Sequence, residues 1–383
     1  MALDVRVLHN ICGECLIKYI YEQRGARAAG KGMTKSRDLQ RMFVTILKKG
    51  AKDNTYKFAL ARFMLDYVHN LGEDDVNRHI RNATSVEISY DVIASTFLRY
   101  YWDQECMYKI NQNSPNKKRP KIITIIRKEI GENYIPTKFK DVNREDKLVM
   151  LKSVRKNLFG SEAGKTSVVI PRFQNIPGVR LRKTRLFYSY DDNVKKLYLK
   201  PDALRLFHQN YVILRDSVLL EWAKYLERFN TMPKLNSKVD SRPKRGSLKH
   251  KLRILEKDFS QCFYCEKNLN QRNASVDHFI PWSYIFDDEL WNLVLACGRC
   301  NSIKRDRLAG KACLDGLLVR NKEYKEEIPQ LGRSLEKIDT RLGWEKEIRQ
   351  HYSNCRSCGF SVQSGVFVCR PHNTQGYLEY IKG

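Results

Sequence analysis

Apolar positions recur mostly at helical spacing along this chain. In NTYKFALARFMLDYVHNL (54–71), Tyr56, Phe58, Ala59, Phe63, Met64 and Tyr67 fall three and four residues apart and lay one apolar stripe along a helix. VIASTFLRYYWDQECMYKI (92–110), KIITIIRKEI (121–130) and EDKLVMLKSVRKNLF (145–159) predict three more helices. Pro201 suits the first turn of a long helix that runs on through VLLEWAKYLERF (218–229). Between these, LFYSYDDNVKKLYL (186–199) alternates on either side of Asp191, Asp192 and Asn193, which predicts a β-hairpin.

Polar, turn-rich stretches divide the chain. NQNSPNKKRP (111–120) reads as a linker. Residues 163–190 carry Lys165, Arg172, Arg180, Arg182, Lys183 and Arg185 with no acid, and Pro171 and Pro177 make the stretch irregular. Residues 234–253 hold eight Lys or Arg, Lys244 and Arg245 among them, against one Asp. This predicts a helical domain at 1–110, a basic helical region with a hairpin at 121–233 and a basic linker at 234–250. Two further modules are expected at 251–312 and 345–383. GSEAGKTS resembles a phosphate-binding loop, but three residues separate Gly160 and Gly164 where that motif needs four, so it reads as an ordinary loop.

Composition narrows the classes. Hydrophobic residues at 42% and charged residues at 30% suit a globular chain of 383 residues with a real core. No apolar run approaches the roughly 20 residues of a membrane helix, and the N-terminus lacks the pattern of a signal peptide. A cytoplasmic protein without a membrane partner is expected. With 70 Lys and Arg against 43 Asp and Glu, the net charge of +27 points to a polyanionic partner.

Eleven cysteines without an export signal favour metal sites over a disulfide framework. Cys106 and Cys313 stand apart and read as small buried hydrophobes. Cys12 and Cys15, with His9 nearby, fall in an apolar pattern that reads as core. Cys262 and Cys265 form one C-x2-C pair, and Cys297 and Cys300 form another 31 residues on. Four thiolates so arranged suit one tetrahedral Zn²⁺. Between and beside them lie Asp277, His278, Asn292 and Asn301. SVDHFI and LVLAC read as strands, and a helix carrying Asn301 and Lys304 on one face follows Cys300.

The string CFYCEKNLNQRNASVDHFIPWSYIFDDELWNLVLACGRCNSIKRD resembles the HNH endonuclease family in its zinc-stapled ββα form, over about residues 251–312. The helical patterns and cysteine spacings make the expected fold α+β and mostly helical, with a helical N-terminal region and a small C-terminal zinc ribbon, and the resemblance adds a ββα-metal nuclease module between them. The resemblance makes His278 the general base, and Asp277 and Asn301 the ligands of one Mg²⁺ or Mn²⁺. Asn292 would hold the His278 loop, and Lys304 would contact a phosphate. The implied products are a 5′-phosphate and a 3′-hydroxyl. Asp287, Asp288 and Glu289 read as caps of a short loop helix.

A second zinc is expected at Cys355, Cys358, Cys369 and His372, spaced C-x2-C-x10-C-x2-H around a hairpin-like spacer. The basic residues Arg172, Arg180, Arg182, Lys183, Arg185, Lys244 and Arg245 are expected to contact nucleic-acid phosphates. A short HNH module behind a long helical region resembles prokaryotic restriction or anti-phage defence nucleases, so DNA and protein partners of a defence system are expected. A phage- or intron-encoded homing or nicking endonuclease is one alternative. A zinc-bearing nucleic-acid-binding adaptor with a vestigial site is another.

Overall fold

The computed structural model describes residues 31–131, 137–160, 166–174, 186–240, 246–270, 273–363 and 367, with side chains from residue 37. It divides into two compact units: residues 1–106 with 111–229, and residues 107–110 with 230–383. The segments expected as separate regions, 1–110 and 121–233, thus fall largely into one unit. The described residues are mostly helical, with two small antiparallel sheets among them. No helix among the described residues is long and apolar enough to cross a membrane.

In the first unit the helices are α1 (Lys31–Lys49), α2 (Tyr56–Asn70) and α3 (Glu73–Arg81), then, after strand β1 (Val86–Ser89), α4 (Tyr90–Trp102), α5 (Lys121–Ile130) and α6 (Arg144–Leu158). Strands β2 (Tyr188–Asp191) and β3 (Lys196–Leu199) lead into α7 (Pro201–Gln209) and α8 (Tyr211–Glu227). Ser89 caps α4 by accepting from the Val92 N–H, and Asn143 caps α6 by accepting from the Asp146 N–H.

The predicted hairpin forms, with Asp191 Oδ1 accepting the Asn193 N–H at 2.7 Å across the turn. Its third strand, β1, was not legible: four residues running straight into a helix give too short an alternation to read. β3 lies in the middle, in the order β1-β3-β2. The long helix expected from Pro201 is broken at Asn210, whose backbone leaves the helical region (φ −119°, ψ 23°) while its side chain and its N–H both donate to the Leu206 carbonyl at 3.1 Å.

Aromatic residues fill this core. Trp222 stacks on Phe58 at 6.2 Å and meets Tyr101 at 6.0 Å, while Phe43 contacts Phe173, Phe187 and Phe207. One carboxylate sits among them. Asp66 accepts from Tyr100 Oη (2.6 Å), Tyr211 Oη (3.0 Å) and Arg62 Nε (3.3 Å), with Arg215 Nε 3.4 Å away. Burial by itself would push the Asp66 carboxyl up, but Arg62, the Tyr100 hydroxyl, Arg215 and the Tyr211 hydroxyl outweigh it and hold it below its usual value.

The second unit contains α9 (Leu235–Asp240), α10 (Lys249–Asp258), β4 (Ala274–His278), α11 (Trp282–Ile285), β5 (Leu293–Cys297), α12 (Gly298–Lys304), α13 (Lys311–Tyr324), α14 (Pro329–Glu336) and α15 (Trp344–Ser357). The stretch expected as a basic linker therefore holds a helix. In α9, Leu235 and Val239 are buried, and Lys238, with no exposed surface, donates to the Tyr284 carbonyl at 2.7 Å.

Asp66→Asn leaves two largely buried guanidinium groups without their anion, and about 3–5 kcal/mol of stability should be lost near neutral pH. A carboxyl with a lowered folded value stabilises the fold above its unfolded value, near 3.9. The gap between parent and variant should therefore close as pH falls below that range, which denaturant titrations at pH 7 and below pH 4 would read.

Candidate active site

The site is built on the β4–β5 ladder, in which Ala274 faces Cys297, Asp277 faces Val294 and His278 faces Leu293. Every residue of β5 is buried, which explains its continuous apolar sequence LVLAC. The first cysteine knuckle is tied to this ladder by the Phe263 N–H, which donates to the Leu295 carbonyl at 2.9 Å. At the other knuckle, Cys297 ends β5 and caps α12: its Sγ accepts the Cys300 N–H, and its own N–H donates to Cys262 Sγ at 3.3 Å.

The ligand atoms of Cys262, Cys265, Cys297 and Cys300 all lie within 4.8 Å of one another, and the Cys265 and Cys297 sulfurs are 3.9 Å apart. A tetrahedral ion with Zn–S bonds of 2.3 Å places its sulfurs about 3.8 Å apart, so the set fits one Zn²⁺. Burial pushes the Cys262 and Cys300 thiols up. Burial would also raise Cys297, but the Cys300 N–H and the neighbouring thiols bring it down. A cation among the four sulfurs removes the conflict by letting all of them ionise. Among the described residues this is the one group of three or more such side chains arranged to hold a metal.

Asp277 and His278 are buried at the end of β4. Asp277 Oδ2 accepts from Tyr264 Oη at 2.5 Å and pairs with Lys304 Nζ at 2.9 Å. Its Oδ1 takes no hydrogen bond among the described residues. Asn301, on α12, donates through Nδ2 to Ser275 Oγ at 3.1 Å. Ser275 and Asp277 are two residues apart and share one strand face, so Asn301 reaches the face that carries Asp277. Asn292, with no exposed surface, mimics a peptide group toward the loop after β4. Its Oδ1 accepts the Ile280 N–H at 2.7 Å, its Nδ2 donates to the Ile280 carbonyl at 2.9 Å, and its backbone carbonyl accepts the Phe279 N–H at 2.8 Å.

Two sequence expectations are corrected here. Lys304 does not face solvent. It has no exposed surface, and beyond its pair with Asp277 it donates to the His278 carbonyl at 2.6 Å, so it locks α12 to β4 instead of reaching for a phosphate. The three acids after Phe286 do not cap the turn at Leu290–Asn292, which has no side-chain cap. Asp287 pairs with Lys234 at 3.1 Å, Glu289 with Lys337 at 2.6 Å, and Asp288 Oδ1 lies 2.8 Å from His278 Nε2. In the sequence, nothing distinguishes Asp288 from its neighbours. The fold selects it because α11 ends at Phe286 in a left-handed conformation (φ 64°) that turns the chain back. Tyr264 and Ser275 were also missed, since neither residue type signals chemistry by its spacing.

Of the remaining candidates, Arg172 is exposed, with Asp53 at 3.9 Å. Cys355 and Cys358 sit at the end of α15, and burial raises both thiols. Their expected partners Cys369 and His372 lie outside the described residues, as do Arg180, Arg182, Lys183, Arg185, Lys244, Arg245 and the His9, Cys12 and Cys15 group. Cys106 is buried. Cys313 is buried too.

Residues 261–309 match the family described as HNH endonuclease, and this segment belongs to that family. Residues 35–145 match a domain of unknown function (DUF8808), which lies almost wholly within the first unit. No curated protein and no solved structure matches the chain.

Elemental analysis after exhaustive dialysis should find zinc bound to the four-cysteine set. Cys300→Ser should lower the count by one ion per chain and, because metal binding is coupled to folding, also lower the melting temperature. An unchanged zinc count would remove these cysteines as its ligands.

Proposed function

We propose that this protein is a metal-dependent endonuclease that hydrolyses DNA phosphodiester bonds. The observation that carries the reading is the adjacency of Asp277 and His278 at the end of β4, with Asn301 brought to the Asp277 face, inside a segment of the HNH endonuclease family. Asp277 Oδ1 and the side-chain Oδ1 of Asn301 are the candidate ligands of a hard divalent cation, which suits Mg²⁺ or Mn²⁺. When bound, that cation would stabilise the charge that develops on the phosphate.

His278 acts as the general base. Asp288 Oδ1 at Nε2 favours the tautomer with its proton on Nε2. His278 takes a proton from water, the water oxygen bonds to phosphorus, and the bond from phosphorus to the 3′ oxygen breaks. The 3′ oxygen picks up a proton from solvent, giving a 3′-hydroxyl and a 5′-phosphate. Tyr264 and Lys304 hold Asp277 Oδ2, and Asn292 holds the loop that follows His278.

DNA as the substrate is supported by the net charge of +27. It is also supported by α10, which packs on the ladder and exposes Lys249, Arg253 and Lys257 with no ion-pair partner among the described residues. The HNH segment behind a long helical unit supports restriction or anti-phage defence as the setting.

The test is plasmid cleavage with Mg²⁺ or Mn²⁺. His278→Ala should slow cutting by about 10²–10⁴ with zinc content and DNA binding retained. Asn301→Ala should need more Mg²⁺ and recover in part with Mn²⁺. Asp277→Asn is the cleaner ligand variant, because alanine there would leave Lys304 buried beside an empty space. It should be more severe than Asn301→Ala, since it removes the anionic ligand. A zinc-replete parent that cuts no DNA with either metal, or a His278→Ala chain that cuts at the parent rate, would sink the assignment.

A further inference from the structure

The segment from His278 to Leu293 contains one short helix and one tight turn, and its remaining backbone is irregular and largely buried. Buried carbonyls of irregular backbone need donors from elsewhere, or each is left unsatisfied at a cost in stability. Here buried cations on separate helices supply them. Lys304 reaches the His278 carbonyl and Lys238 the Tyr284 carbonyl. The largest share comes from Arg320 of α13, which is 4% exposed.

Arg320 Nη1 donates to the Leu293 carbonyl at 2.6 Å, and Nη2 to the Trp291 carbonyl at 3.3 Å and the Leu290 carbonyl at 3.5 Å. Nε and Nη2 also reach Asn321 Oδ1, at 3.0 and 2.5 Å. Asn321 Nδ2 adds a second bond to the Trp291 carbonyl at 3.0 Å, and Ser334 Oγ of α14 accepts the Trp291 N–H at 3.1 Å. Among the described residues no carboxylate pairs with Arg320. Its charge is spread over carbonyl dipoles, and burial brings its pKa down to about 9. The planar fork spreads its donors over separate nitrogens and so spans three carbonyls, where a lysine would bring all its donors to one point.

The residue enclosed by these bonds is Asn292, whose amide staples Ile280, two residues after His278. A shift of the 290–293 backbone would move Asn292, then the Phe279–Ile280 backbone, and with it the imidazole. We propose that Arg320 is the positioning residue for His278, so that the centre of this chain extends past the HNH segment, which ends at residue 309, to include α13. The proposal rests on the nuclease reading given above.

The test compares the full-length parent with Arg320→Lys, which keeps the charge and loses the fork, and with the milder Asn321→Ala. For Arg320→Lys, kcat should fall roughly 10²-fold, the cost of a small displacement of reacting groups, while KM for DNA and zinc content stay near parental. Hydrogen exchange should quicken at the Phe279 and Ile280 amides and not across β4, β5 and α12 as a whole. Asn321→Ala should show the same pattern at smaller size. Parental kinetics with parental exchange in both variants overturns the proposal. So does a fall in kcat accompanied by loss of zinc and uniformly faster exchange over β4, β5 and α12, because that is unfolding and not positioning. A parent that cuts no DNA sinks the nuclease reading instead, and the exchange pattern then decides by itself whether Arg320 holds the loop.

Discussion

The register of one five-pair strand ladder governs the second unit. Because side chains alternate along a strand, a slip of one residue between β4 and β5 would carry Asp277 and His278 to the wrong faces. The structure blocks that slip at both ends. At one end, Cys297 is the last residue of β5 and the cap of α12, and it bonds to Cys262. At the other, Asn292 pairs with Ile280 just beyond the last rung. Lys304 adds a tie at this same end, holding α12 to both Asp277 and the His278 carbonyl.

Seen this way, the buried charges of the second unit have a common purpose. Lys238, Lys304 and Arg320 each come from a different helix, and each ends on a carbonyl of the segment between His278 and Leu293. Burying them is unfavourable, as the fall of Lys238 to about 7 by desolvation shows. The alternative would be a row of unsatisfied carbonyls in a dry interior, which is also unfavourable and does not fix a conformation. A buried cation with several donors orders the loop in one arrangement. Among the carboxylates, Asp277 pairs with Lys304 at 2.9 Å. The pair fixes its Oδ2 and leaves Oδ1 as the oxygen for other chemistry.

The first unit solves its polar burial in the opposite sense. There a single carboxylate, Asp66, gathers two arginines and two tyrosine hydroxyls from three helices and part of the aromatic core. The charge centre lies between helices that are otherwise joined by Phe, Tyr and Trp contacts, so it adds direction to a packing that apolar area by itself would leave loosely specified.

Much of this was legible in the amino-acid order. Helical spacing marked α2, α4, α5 and α6, alternation marked the β2–β3 hairpin, and two C-x2-C pairs flanking Asp277, His278, Asn292 and Asn301 marked the HNH segment. Those signals are local: a period, a turn residue or a ligand spacing survives in sequence because the chemistry depends on neighbours along the chain. What the sequence could not show depends on neighbours in space. Lys304 looked like a surface cation because lysine usually is one, and only the packing of α12 on β4 buries it against Asp277. Asp288 was one of three adjacent acids until the left-handed turn at Phe286 aimed it at His278. Arg320 stands 28 residues beyond Asn292, in a helix with no motif, and its role exists only because α13 brings its fork under the carbonyls of residues 290–293. Spacing along the chain determined which groups could act; long-range packing decided which of them are held, and by what.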